Sequence, residues 1–224
     1  MKQLPVHQLP GIEYRFIDPG LLREALTHRS RGAVNNERLE FLGDSILNFV
    51  VASRLYELRP QATEGELSRL RSRVVRGDTL AELATQLRLG DHLHLGEGEL
   101  KSGGFKRQSI LADALEALFG AIYLDGGFEA CSAVIREVCE PVILDLPDAE
   151  TLKDPKTRLQ EWLQARGRPL PDYQLIREEG ADHAKHFVVV CRIPDSEEQS
   201  QAEGSSRRKA EQSAASILLG KLNE

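Results

Sequence analysis

The chain has 224 residues, 41 % hydrophobic and 29 % charged, with a formal net charge of −6, which suits one large or two modest domains of ordinary soluble composition. No apolar run approaches the roughly 20 residues of a membrane span, and the opening MKQLPVHQLPGIEYRF lacks the apolar core of a signal peptide. Cys131, Cys139 and Cys191 are scattered without CxxC spacing, so they read as free thiols of a reducing compartment and exclude a zinc site or a disulfide framework; a cytoplasmic protein with no membrane partner is expected.

The acidic total weighs mildly against a nucleic-acid ligand. From Thr151 onward, however, acidic and basic residues are equal in number, so the excess lies upstream and local patches decide. Residues 1 to 19 form an irregular lead-in with prolines at 5, 10 and 19. Gly20 to His28 predicts a short helix with Leu21, Leu22, Ala25 and Leu26 on its apolar face. A histidine at such a helix end, His28, is more often structural than catalytic.

Residues 36 to 58 predict a long helix, with Asn35 or Asn36 at its start and Pro60 beyond its end. Glu37, Glu40 and Asp44 stand at i, i+3 and i+7, one face of that helix. Past Asp44 it is apolar almost all round, as a buried or subunit-interface helix is. Carboxylates at the mouth of such a helix repel one another and lose hydration, so they call for a cation. An acidic first turn favoured by the helix dipole explains Glu37 equally well.

Thr63 with Glu66 forms a capping box before a helix over 64 to 75, whose Arg69, Arg71, Arg73 and nearby Arg76 make either a solvated basic face or phosphate contacts. Asp78 caps a third helix, 79 to 87. Residues 90 to 109 read as a glycine-rich basic loop with Lys101, Lys106 and Arg107 but without Walker spacing; its His92 and His94 read as surface residues. Ser109 to Leu124 predicts another mostly buried helix, with Asp113 and Glu116 at i, i+3. Gly126-Gly127 ends it, and 128 to 144 forms a further helix interrupted at Pro141. If the two carboxylate-bearing helices pack side by side, four oxygen donors converge. Such donors suit Mg²⁺ or Mn²⁺ and the in-line hydrolysis of a phosphodiester. A buried acid satisfied by backbone or a basic residue is the alternative for either pair alone.

NERLEFLGDS (Asn36 to Ser45), GELKSGGF (Gly98 to Phe105) and ILADALEAL (Ile110 to Leu118) make this half similar to bacterial ribonuclease III. The resemblance implies an all-α endonuclease domain over 1–147 that works as a homodimer. It further implies Mg²⁺-dependent hydrolysis of double-stranded RNA, leaving 5′-phosphates and short 3′ overhangs, in the processing of ribosomal RNA precursors and other structured transcripts. By resemblance Glu40, Asp44, Asp113 and Glu116 are the metal ligands, Asp44 and Glu116 are catalytic, and Glu37 and Glu64 support the cleft.

A proline-flanked polar stretch, Leu146 to Pro155, predicts a linker, placed at 148–154. Beyond it, 155–224 reads as an α+β domain in the order α-β-β-β-α, with strands near 173–178, 186–193 and 197–203. Ser205 or Ser206 caps the last helix. Its first turn carries Arg207, Arg208 and Lys209, which oppose the helix dipole unless an anion sits there. DPKTRLQEWLQ, GADHAKHF and GSSRRKAEQSAA make this part similar to a double-stranded RNA-binding domain, which reads A-form shape across two minor grooves. The resemblance turns Thr157, Gln160 and Glu161 toward one minor groove, His183 toward the next, and Arg207, Arg208 and Lys209 toward the phosphates between. Ala202 departs from it, standing where a glycine is often found and implying a slightly altered turn. Two other readings remain open at this level: an inactive helical scaffold that only binds duplex RNA, and a metal-dependent hydrolase of small nucleotides.

Overall fold

A computed structural model of the chain describes residues 7–149, 152–180 and 185–223. The chain divides into two compact units, Met1–Ala149 and Glu150–Glu224. The first is helical: α1 Pro19–Ala25, α2 Glu37–Leu58, α3 Glu64–Val74, α4 Gly77–Gln86, α5 Glu97–Lys101 and α6 Gln108–Leu144. Its core is α6, packed chiefly against α2 and α4, with Ala114, Leu115, Leu118, Phe119 and Ile122 fully enclosed.

Local chemistry sets the boundaries. Asp18 Oδ1 accepts from Gly20 N at 2.8 Å to start α1. The helix is shorter than its apolar pattern predicts because residues 26–28 pair elsewhere: His94 N donates to the Leu26 carbonyl and His28 N to the His94 carbonyl. At the head of α2 the helix-start contact comes from Asn35, whose Oδ1 accepts from Glu37 N, while the side chain of Asn36 is buried and makes no cap. The capping box of Thr63 and Glu66 forms as expected. Residues 90–109 are more ordered than their glycine content suggests: two 3₁₀ turns, Leu89–His92 and Gly104–Lys106, flank α5.

The expected division of the last long helix is found at Gly127, which adopts φ 80° and ψ −178° inside α6. Pro141 does not interrupt it, and the helix runs on to Leu144. By length and composition an 18-residue window of α6, mean hydropathy 1.3, could cross a membrane, which corrects the impression that no stretch comes close. In the fold it is the core helix. Part of the apolar surface of α2 stays uncovered: Phe41, Phe49 and Tyr56 are 78 %, 60 % and 73 % exposed in the single chain.

The second unit holds α7 Pro155–Gln164, an antiparallel sheet in the order β1-β2-β3 (Asp172–Glu179, His186–Arg192, Gln199–Gly204) and α8 Arg207–Leu222. Leu159 and Leu163 of α7 and Ala214, Ala215, Leu218 and Leu219 of α8 close over Cys191 and Ala202 of the sheet. Ala202 therefore lies within β3, opposite Val189, and not in a turn; its small side chain is part of the core. All three cysteines are buried and free.

Candidate functional site

Helices α2 and α6 cross at two glycines. A Cβ on Gly43 would lie 1.8 Å from the Glu116 carbonyl oxygen, and one on Gly120 would lie 2.2 Å from that of Leu39. The backbones touch there because neither residue has a side chain. Gly43 sits between Glu40 and Asp44, and Gly120 lies one turn past Glu116, so the crossing brings the two carboxylate pairs face to face.

One oxygen from each of Glu40, Asp113 and Glu116 lies within 4.8 Å of the others. Asp44 stands beside this group but outside it. It is exposed, not buried as its apolar neighbours in sequence suggest, and Asn48 Nδ2 donates to it at 2.8 Å. The crowding is visible in the acidities. Glu116 is pushed up to about 8, first by burial and then by the charges of Asp44, Glu40 and Asp113. Glu40 is raised by burial, then by Asp113 and Glu37. Burial raises Asp113 too, against the pull of His28 and Arg29.

A cavity of about 480 Å³ opens beside Glu40 and Asp113, with His28, Arg29, Glu37 and Glu99 in its wall. Glu37 is exposed and pairs with Arg29 at 3.5 Å. His28 plays a structural part, since its Nδ1 accepts from Ser30 N at 3.2 Å. Glu64, at the start of α3, accepts from Ser68 Oγ at 2.8 Å and does not line this cavity. Sequence reasoning missed the two crossing glycines, although glycine inside an apolar helix is itself a sign of close approach. It also missed Glu99, which pairs with Arg107 at 2.7 Å and is folded against Gly104; no helical spacing announces that contact.

In the second unit Thr157, Gln160 and Glu161 are exposed on one face of α7, and Lys153 pairs with Glu161. Ser206 Oγ caps α8 by accepting from Lys209 N. The cations of that first turn are partly compensated within the chain, since Arg207 pairs with Glu211 at 2.9 Å and Arg208 lies 3.8 Å from Asp154. The conflict with the helix dipole is therefore milder than the sequence implies, although Arg208 and Lys209 remain exposed. His183 lies outside the described residues.

The Ribonuclease-III-like family model matches residues 18–142, and the double-stranded RNA binding motif matches 155–222. The chain belongs to the ribonuclease III family. It is 56 % identical to Ribonuclease 3 of Thiobacillus denitrificans over 205 residues, covering 92 % of this chain and 91 % of the relative. It is 50 % identical to Ribonuclease 3 of Shewanella amazonensis over 224 residues, covering 98 % and 99 %. Among solved structures, the nuclease domain of ribonuclease III from Campylobacter jejuni, described as flexible in a region involved in dimer formation, matches with 43 % identity and a TM-score of 0.56, over 57 % of this chain and 90 % of that one. A second structure of that domain matches with 41 % identity and a TM-score of 0.57, over 60 % and 92 %. Membership makes this ribonuclease III chain an endoribonuclease, acting on double-stranded RNA, with a helical nuclease unit followed by a duplex-RNA-binding unit.

Proposed function

We propose that the chain hydrolyses duplex RNA with Mg²⁺, for which Mn²⁺ can substitute, at Glu40, Asp44, Asp113 and Glu116. The observation that carries this is the meeting of Glu40 with Asp113 and Glu116 across the Gly43–Gly120 crossing, with Asp44 beside them. The donor set fits a hard divalent cation: the clustered ligands are all carboxylates, and Glu116 stays protonated near neutrality without a neighbouring positive charge. When bound, such an ion supplies electrostatic stabilisation of the reacting phosphate and a lower pKa for water. The chain's own part is to hold the four carboxylates in register from two helices and to keep α6 dry behind them. Glu37, with Arg29, supports the cleft from its wall, and Glu64 supports it from outside that cavity, at the start of α3. The acids repel RNA in the absence of a cation, so metal governs both seating and cutting of the strand.

In this reading Thr157, Gln160, Glu161 and His183 face the minor grooves of the duplex, and Arg207, Arg208 and Lys209 face its phosphates. Two chains associate through the exposed apolar surface of α2, so that two acidic sites cut opposite strands and leave 5′-phosphates with short 3′ overhangs. The substrates are ribosomal RNA precursors and other structured transcripts of the cytoplasm. Residues 1–147 form the catalytic and dimerisation domain, 148–154 the linker and 155–224 the RNA-binding domain.

The test is a long perfect RNA duplex incubated with Mg²⁺ and, separately, with EDTA. Cuts that require Mg²⁺, spare single strands and leave 5′-phosphates are expected. Equal cutting in EDTA, or none in any divalent ion, would overturn the metal assignment.

A further inference from the structure

The segment of residues 27–34 has two faces. His28, Arg29 and Ser30 line the acidic cavity, whereas Thr27, Arg31 and Val34 line a second cavity of about 430 Å³. Gly20, Arg23 and Glu24 of α1, with His94, complete that second wall. Thr27 Oγ1 donates to the Arg23 carbonyl at 2.6 Å and fixes the helix end beside the cavity.

The two faces differ in charge balance. Arg29, on the acidic side, is paired with Glu37. Arg23 and Arg31 make no ion pair among the described residues, and Glu24 is the one acid in their wall. Burial, with Arg23 and Arg31 beside it, holds the His94 imidazole below its ordinary pKa. Two unpaired guanidinium groups on one concave wall repel until an anion lies between them. Their planar forks match phosphate oxygens. The surrounding unit carries the chain's whole negative excess, so a free basic hollow next to the acidic cavity runs against the local field.

We propose that this hollow seats a backbone phosphate of the bound RNA duplex, across the 27–34 segment from the phosphate being cut. The inference rests on the duplex-cleavage reading above. Glu24 also borders an apolar hollow formed with Leu21, Phe41, Leu42 and Leu124, so an acidic group of a second copy of the chain is the competing occupant.

The test compares the full-length parent with Arg23→Gln/Arg31→Gln. Duplex affinity is measured in Ca²⁺ over a series of salt concentrations, and the oligomeric state by sedimentation. Each phosphate contact contributes about 0.9 to the slope of log affinity against log salt. The double variant should lose about 1 to 2 from that slope and bind roughly tenfold more weakly at physiological salt, with unchanged sedimentation. Arg31→Gln alone, in an exposed segment, should lose about 1, and Arg23→Lys/Arg31→Lys should regain most of the loss. An unchanged slope with parental binding and cutting removes the phosphate seat and leaves the cleavage reading intact. Dissociation into monomers with an unchanged slope assigns the hollow to the second copy and overturns the proposal. A parent that neither binds nor cuts duplex RNA removes both.

Discussion

Glu116 is the residue on which the chemistry turns. Its carboxyl is raised to about 8, chiefly by burial, so it differs from an unfolded glutamate in the direction that weakens the fold. Between the unfolded value near 4.3 and the folded one, the native state holds the extra proton. Stability of the metal-free protein is therefore present below that window and lost as pH rises through it. Glu116→Gln should flatten this pH dependence and raise metal-free stability at pH 8, on the order of 2 kcal/mol once solvent screening is discounted. The same variant should keep duplex binding and lose cleavage by at least about 100-fold. Urea unfolding at pH 5 and pH 8, with and without Mg²⁺, and a cleavage assay check both. Cutting at the parental rate would remove Glu116 from the site. These carboxylates were legible in the sequence because helical spacing set them against an apolar background. Asp44 was misjudged because neighbours in sequence do not bury a side chain that points away from the helix they share.

At the scale of the element, the site is a property of one helix crossing. Gly43 and Gly120 let α2 and α6 meet backbone to backbone. Gly43→Ala should force the helices apart, costing about 3 kcal/mol or more because the obstructing atoms are main chain. It should also cut turnover by about 100-fold through misplacement of the ligands by an ångström or so. Thermal unfolding and single-turnover cleavage measure the two effects, and a variant with parental values of both would show that the crossing tolerates a wider gap. This contact was not visible as a pair beforehand, because a crossing joins residues far apart in the chain. It likewise misread 90–109 as a loop, since five glycines mask a short helix and two 3₁₀ turns that hold Glu99 beside Arg107. Ala202 was placed in the third strand, but its inward-facing role was not foreseen, because which small residue faces the core depends on the pairing register with Val189.

For the molecule as a whole, binding and cutting are divided between units of different charge. Changing Arg207, Arg208 and Lys209 together to Ala should weaken duplex affinity and lower the salt slope by about 2 to 3, with little change in turnover at saturating RNA. Filter binding across a salt series, set against initial rates, separates the two, and equal loss in both would place these residues at the cutting step. Association should depend on the aromatic surface of α2: Phe49→Glu is expected to sediment as a monomer at micromolar concentration, and an intact dimer would move the interface elsewhere. The helical order and the α-β-β-β-α order were both readable from periodicity and caps, because each unit buries its faces locally. Residue 183 aside, the candidate RNA-facing residues came from the resemblance; the i,i+4 pair of Arg207 with Glu211 inside α8 was open to the same helical spacing and was overlooked, whereas the approach of Arg208 to Asp154 was not readable, since it joins α8 to the start of α7.

The buried cysteines carry a practical consequence. Burial pushes the Cys131 and Cys139 thiols up to about 12 and raises Cys191 as well, so all three resist alkylation while the fold is closed. Two report on the nuclease unit and one on the RNA-binding unit. A brief maleimide pulse followed by peptide mass mapping would therefore time the opening of each half separately, in the unmodified protein and without a fluorescent tag.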